Sequence, residues 1–319
     1  MGSGFDRTDA GIDPRGCGLV SGSTAPASRR VRANGLLHHV LEWPGDPART
    51  AFLLHGYLDQ AQSLVPVGDA LASMAWRVFA PDFRGHGRSA WVPDGAYYHF
   101  PDYVADLAAL VDELAPESET GPLAIVAHSM GGTVATMFAG VRPRRVRSLV
   151  LMEGMGPPAM PPEAMPIRVE RWIEQLTKPR VRERRKLASV GDAIDRLRMT
   201  HGGQVPNEVL ARVAPELIEP HPSGDGFTWR FDPLHQTTSP GRFDVEAFAA
   251  FAQRVTAPVL LVDGGENGFR HADDERRRAW FADRRDVTLA GAGHMMHWTQ
   301  PAELAGVVAA FVTKERPAG

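Results

Sequence analysis

Short apolar runs alternate with longer segments of helical periodicity from residue 28 onward. Such alternation predicts an α/β fold with a mostly parallel central sheet and helices on both faces. An antiparallel hairpin is expected first, because Asn34 and Gly35 form a turn signal between two strand-like runs. The predicted strands are 29–32, 36–43, 50–54, 76–80, 123–127, 148–152, 258–262 and 286–289, and the predicted helices are 65–75, 101–114, 130–141 and 301–313.

One long interval, between residues 152 and 257, contains no predicted strand. It opens with a proline-rich string, Gly-Met-Gly-Pro-Pro at 154–158, and continues with amphipathic helical patterns. We therefore predict that residues 155–245 form a helical cap inserted into a core made of residues 28–154 and 246–319. Residues 1–27 are rich in Gly, Ser, Pro and Asp, and they are predicted to be a flexible tail.

The charge of the 319-residue chain gives no reason to expect a nucleic-acid partner. The formal net charge is -3, whereas a nucleic-acid-binding domain is normally basic. The predicted cap does contain a basic stretch, 168–198, with 10 Lys or Arg against 5 Asp or Glu. We interpret this stretch as solvated helix faces, and an anionic partner is the alternative.

The chain has no sequence feature of a membrane or secreted protein. No apolar run is long enough to span a bilayer, and the N-terminus lacks the apolar region of a secretory signal. The single cysteine, Cys17, excludes an internal disulfide and a cysteine-based zinc cluster, and its surroundings do not suggest a nucleophile. A cytoplasmic location is therefore expected, while the oligomeric state is left open.

A candidate nucleophile follows the predicted strand 123–127 directly. The string Ala127-His128-Ser129-Met130-Gly131 places a serine between a strand and a helix, with small residues two positions before and after it. This spacing is typical of a sharp turn that exposes the serine Oγ, where a neighbouring helix passes too closely for larger side chains. The alternative is a serine that only caps the helix.

With this string, the chain resembles the α/β-hydrolase superfamily, and the resemblance extends over residues 28–315. Three further strings carry it: His55-Gly56-Tyr57 after a strand, Asp82-Phe83-Arg84-Gly85-His86-Gly87-Arg88-Ser89, and Gly291-Ala292-Gly293-His294 before the final helix. The resemblance implies an α/β-hydrolase fold with Ser129 as nucleophile and His294 as general base. It also implies that the backbone N–H groups of Tyr57 and Met130 stabilise the oxyanion.

The acidic member of the triad is ambiguous in the sequence. Most of the superfamily has a G-x-x-D turn after the strand before the histidine, but here Asn267 or Gly268 stands where the aspartate would fall. Some members place the acid one strand earlier, where this chain has Glu153. We favour Glu153, and Asp263 and Glu266 remain alternatives.

The expected reaction is hydrolysis of a carboxylic ester or lactone, because a serine nucleophile excludes the aspartate-based chemistries of the superfamily. The Met and aromatic residues of the predicted cap indicate a small, mainly apolar substrate, unless they only pack the cap on the core. No cofactor and no metal site are expected, since no histidine spacing suggests one. The alternatives are a carbon-carbon bond hydrolase, a perhydrolase, or a ligand-binding receptor on a hydrolase scaffold.

Overall fold

A central sheet of eight strands forms the framework of the molecule. The computed structural model describes residues 25–177 and 183–314, so Cys17 and most of the predicted tail lie outside the described residues. The strands are β1 Ala27–Ala33, β2 Leu36–Trp43, β3 Asp46–Leu54, β4 Trp76–Pro81, β5 Leu123–His128, β6 Val146–Met152, β9 Val259–Asp263 and β10 Arg284–Thr288. Their order in the sheet is β1-β2-β4-β3-β5-β6-β9-β10.

The sheet is parallel except at its β1 edge. Strand β2 pairs antiparallel with both β1 and β4, and every other neighbouring pair runs parallel. The hairpin between β1 and β2 turns at Asn34 and Gly35, which both have positive φ angles, as the sequence predicts. The predicted fold class is therefore confirmed.

Helices cover both faces of the sheet because the central strands are apolar on both sides. In β3, Phe52 and Leu54 belong to one buried cluster, whereas Ala51 and Leu53 belong to the other. One face holds α1 Val65–Ala72 and α11 Pro301–Val312, and the opposite face holds α2 Phe100–Leu114, α4 Met130–Val141 and α8 Val245–Ala252. The short helices are α3 Glu117–Thr120, α9 Asp274–Arg278 and α10 Met296–Thr299.

The chain between β6 and α8, residues 155–244, is called the insertion below. It contains α5 Met165–Thr177, α6 Val190–Thr200 and α7 Asn207–Leu217. It also contains β7 Ile218–Pro220 and β8 Phe227–Trp229, which pair antiparallel. The prediction that this interval has no strand is wrong, because strands of three residues are too short to produce a periodic pattern.

Part of the insertion packs directly on the loop that carries the predicted base. Buried residues of α6 and α7, among them Leu197 and Leu210, form one apolar cluster with Met295 and Trp298. This cluster holds the insertion against the carboxyl ends of the parallel strands. Within the described residues, no helix is long and apolar enough to cross a membrane.

Candidate active site

Ser129 lies on a sharp turn between β5 and α4. Its φ is 49° and its ψ is -114°, an unfavourable conformation for a residue with a side chain. The next two residues are glycines, which leave room for the neighbouring backbone at this turn. A Cβ on Gly131 would lie 2.6 Å from the carbonyl oxygens of Leu54 and His55, and one on Gly132 would lie 2.6 Å from the Gly154 Cα. Strand β3 and the loop after β6 thus pack against the turn.

Three side chains from separate parts of the chain form a continuous hydrogen-bonded relay. The Nε2 of His294 lies 3.1 Å from the Ser129 Oγ, and its Nδ1 lies 2.7 Å from the Glu153 Oε2. The carboxylate accepts a hydrogen bond from the Nδ1–H, so Nε2 presents its lone pair to the serine hydroxyl. The relay therefore has the order of a nucleophile, a base and an orienting acid.

Glu153 is held in this relay by the loop after β9. Its carboxylate accepts hydrogen bonds from the backbone N–H groups of Gly264 and Phe269, both at 2.7 Å. A Cβ on Gly268 would clash with the Glu153 Oε1, so this glycine leaves the space that the carboxylate occupies. In most of the superfamily this loop supplies the acid itself. In this protein it supplies the two N–H donors that bind the acid, Glu153.

The two alternative acids do not contact His294. Asp263 is buried, and its carboxylate forms ion pairs with Arg270 and Arg278, both at 3.1 Å. It also accepts a hydrogen bond from the Gly265 N–H. Glu266 is exposed on the following turn. Of the three predicted carboxylates, only Glu153 joins the relay.

The predicted oxyanion residues flank Ser129. Met130 is the first residue of α4, and Tyr57 follows Gly56 in the loop after β3. A Cβ on Gly56 would lie 3.5 Å from the Ser129 Cβ, so this loop is in close contact with the serine. In the described residues, the N–H groups of Tyr57 and Met130 have no backbone or side-chain acceptor. Both are free to donate to a substrate oxygen.

The loop that contains Tyr57 is braced by the Asp82–Ser89 string. The ring of His55 accepts a hydrogen bond from the Phe83 N–H at 2.9 Å, and burial lowers the pKa of His55 so that it remains neutral. Asp82 accepts hydrogen bonds from the Ala61 N–H and from the His39 ring. This string therefore has a supporting role, as its position beside the site suggests.

A cavity of about 810 Å³ opens beside Tyr57 and Met130. Its wall is rich in aromatic side chains, and the core and the insertion both contribute to it. Tyr97 from the core and Trp172 from α5 meet edge to face, with ring centroids 5.0 Å apart. Other lining residues are Tyr98, Phe100, Met160, Arg168, His235, Arg242 and Phe243.

Two neighbours of His294 were not singled out by the sequence. The Phe269 ring lies 5.6 Å from the His294 ring, and the His201 ring, at the end of α6, packs on Trp298. Burial lowers the pKa of His201, and the nearby His294 contributes to the shift. Neither residue lies in a recognisable motif, so only the packing of the insertion on the core could reveal them.

Comparison with known proteins places this site in a family. The family model described as serine aminopeptidase, S33, matches residues 45–201. A 3-hydroxybutyrate-oligomer hydrolase of Cupriavidus necator is 30% identical over 239 residues, 71% of this chain and 75% of that protein. The esterase Rv0045c of Mycobacterium tuberculosis is 29% identical over 295 residues, 89% of this chain and 88% of that protein.

Other similarities are local or structural. A serine hydrolase-like protein of Danio rerio is 40% identical over 117 residues, but this alignment covers only 36% of the chain and 33% of that protein. The crystal structure of the hypothetical protein PA1622 of Pseudomonas aeruginosa PAO1 aligns with a TM-score of 0.76 and 27% identity, over 90% of this chain and 99% of that one. The chain belongs to the α/β-hydrolase superfamily.

Proposed function

We propose that the protein is a serine hydrolase that cleaves carboxylic esters or lactones. The single observation that carries this proposal is the relay from Ser129 through His294 to Glu153. A serine hydroxyl is a weak nucleophile until an adjacent base accepts its proton, and the base needs an orienting group. All three are present at hydrogen-bond distance.

In the proposed reaction, the Ser129 Oγ attacks the carbonyl carbon of the substrate while His294 Nε2 takes the hydroxyl proton. The oxyanion accepts hydrogen bonds from the N–H groups of Tyr57 and Met130. His294 then returns the proton to the leaving alcohol, and an acyl-enzyme remains on Ser129. Water, activated by His294, hydrolyses this ester and restores the serine. Glu153 stabilises the imidazolium formed in each half of the cycle.

The cavity favours substrates with an apolar acyl group. Its aromatic wall lies beside the proposed oxyanion site, so a bound acyl chain would extend into it. We propose that the insertion acts as a cap, because α5 contributes Trp172 to this wall. The similarity to a 3-hydroxybutyrate-oligomer hydrolase and to an esterase supports an ester substrate.

The decisive experiment is a series of p-nitrophenyl esters with acyl chains of increasing length, assayed with the wild type and with Ser129→Ala. We expect steady-state turnover and covalent labelling by a fluorophosphonate in the wild type. In Ser129→Ala we expect no labelling and a kcat lower by about 10⁶-fold. Absence of both turnover and labelling in the wild type would contradict the proposal, and tight binding without turnover would indicate a receptor.

A further inference from the structure

Three buried polar side chains form a second cluster beside the relay. His128 directly precedes Ser129, His297 follows His294 by three residues in α10, and Asp59 lies in the loop after β3. Each is at most 3% exposed. One candidate ligand atom from each lies within 4.8 Å of the other two. The proposed hydrolytic mechanism uses none of these side chains.

The carboxylate of Asp59 is buried, and its ring partner is His297. It accepts hydrogen bonds from the Ser63 hydroxyl and, at 2.8 Å, from the His297 Nε2. Among the described residues, no Arg or Lys pairs with it. A buried carboxylate normally requires an ionic partner or a metal ion, and an ion bound to Asp59 would replace the Nε2–H of His297 as its partner.

Both histidines retain a buried ring nitrogen without a partner. The His128 Nε2 lies 2.9 Å from the His294 carbonyl oxygen, which only accepts, so Nε2 carries the proton and Nδ1 has the lone pair. Burial lowers the pKa of His128 well below its ordinary value, which keeps the ring neutral. The Nδ1 atoms of His128 and His297 have no hydrogen-bond partner among the described residues.

We propose that Asp59, His128 and His297 bind a divalent transition metal ion such as Zn²⁺. Two imidazoles and one carboxylate are ligands that Zn²⁺ accepts, at bond lengths of about 2.0–2.2 Å. Ligands of one tetrahedral ion lie about 3.4 Å apart at such lengths, so small rotations of the two rings bring the ligands into place. The ion takes the place of the His297 Nε2 proton, neutralises Asp59 and occupies the lone pair of the His128 Nδ1.

Metal binding at this cluster inhibits hydrolysis, an effect that rests on the proposed function. The His128 ring holds the backbone carbonyl of His294, and its backbone continues into Ser129. Rotation of the ring toward the ion therefore disturbs both partners of the relay. The positive charge also disfavours the imidazolium that His294 must form.

Zn²⁺ binding is measured by isothermal titration calorimetry with the full chain. We expect one ion per molecule in the wild type and in Ser129→Ala, with equal Kd. Asp59→Asn and His297→Gln should weaken binding at least about 10–100-fold. His221→Ala is the matched control, since it removes an imidazole from the turn between β7 and β8 and should leave the Kd unchanged. Unaltered binding in both ligand variants would overturn the proposal.

Two further readouts use the wild type alone, so they do not depend on variant folding, and the first of them does not depend on esterase activity. Co²⁺ bound to the wild type should give the intense visible absorption of a tetrahedral ion; its absence would overturn the proposal. Zn²⁺ should lower ester turnover, and a chelator should restore it. A wild type that binds Zn²⁺ but shows no esterase activity would refute the proposed function and leave the metal site supported.

Discussion

At the scale of single residues, the site depends on the groups that bind the Glu153 carboxylate. Its φ of 48° is as unusual as that of Ser129, and both residues directly follow central strands of the sheet. Two backbone donors bind its carboxylate, and Gly268 provides the space. A glutamate at this position is therefore fixed in hydrogen-bond contact with His294.

Glu153→Gln tests this assignment against Asp263→Asn. We expect Glu153→Gln to lower kcat by about 10⁴-fold, because an amide cannot stabilise the imidazolium of His294. Asp263→Asn should keep kcat within about 10-fold and lower the free energy of unfolding by about 1–3 kcal/mol, since it weakens the ion pairs with Arg270 and Arg278. Steady-state kinetics and urea denaturation measure the two effects, and the reverse pattern would make Asp263 the acid.

At the scale of elements, the site is built by close approach of backbone segments. Helix α4 begins at the carboxyl edge of the sheet, where it meets the loop after β6 with no side chain between Gly132 and Gly154. The same edge receives the loops after β3 and β9. The positions of Ser129, Glu153 and the proposed oxyanion donors therefore depend on contacts between elements that are distant in sequence.

Gly132→Ala should disturb this contact. A Cβ at position 132 meets backbone atoms of Gly154, which cannot rotate away, so we expect a loss of about 1–3 kcal/mol in the free energy of unfolding together with a lower kcat. Gly306→Ala in α11 is the control, because its Cβ would meet no atom within 4 Å. It should stabilise the protein by up to about 1 kcal/mol. Equal effects in both variants would contradict the packing argument.

Trp172 in α5 should determine how acyl length affects binding. We expect Trp172→Ala to raise KM about 10-fold for a long acyl ester, since an apolar contact of the chain is worth about 1–3 kcal/mol, with little change for an acetyl ester. Ile173→Ala is the control: this neighbour is 50% exposed and does not line the cavity. A chain-length series of KM values checks this, and an equal rise at all lengths would contradict it.

At the scale of the whole molecule, buried neutral histidines link stability to pH. Burial lowers the pKa values of His55, His86 and His128, and it lowers the pKa of His235 to about 3. The same residues in the unfolded chain have ordinary pKa values of about 6.5. Below that pH the unfolded chain binds protons that the folded protein excludes, so acid favours unfolding.

The free energy of unfolding should therefore be nearly constant above about pH 7 and should fall as the pH drops below about 6.5. Each of the four histidines contributes up to about 1.4 kcal/mol per pH unit. Denaturant melts at pH 7.5 and 5.5 measure this loss of unfolding free energy. His235→Phe should lower the number of protons taken up on unfolding by about one, and it should reduce the slope of the unfolding free energy against pH accordingly. Equal stability at the two pH values would show that these rings accept protons in the folded state.

The sequence by itself determined the class of fold and predicted Ser129 and His294 as the nucleophile and base. Both follow from local signals: strand and helix periodicity, and the short strings around Ser129 and His294 whose backbone geometry demands particular small residues. The short strands β7 and β8 escaped prediction because three residues carry no periodicity.

Only the tertiary structure decided which carboxylate meets His294 and which residues gather around it. Glu153, Asp263 and Glu266 each lie beside a strand end, so the sequence favours Glu153 but does not exclude the other two. The choice depends on long-range contacts: the loop after β9 turns Asp263 toward two arginines and offers its N–H groups to Glu153. The cluster of Asp59, His128 and His297 is invisible in the sequence for the same physical reason, since folding alone brings together residues from three distant segments.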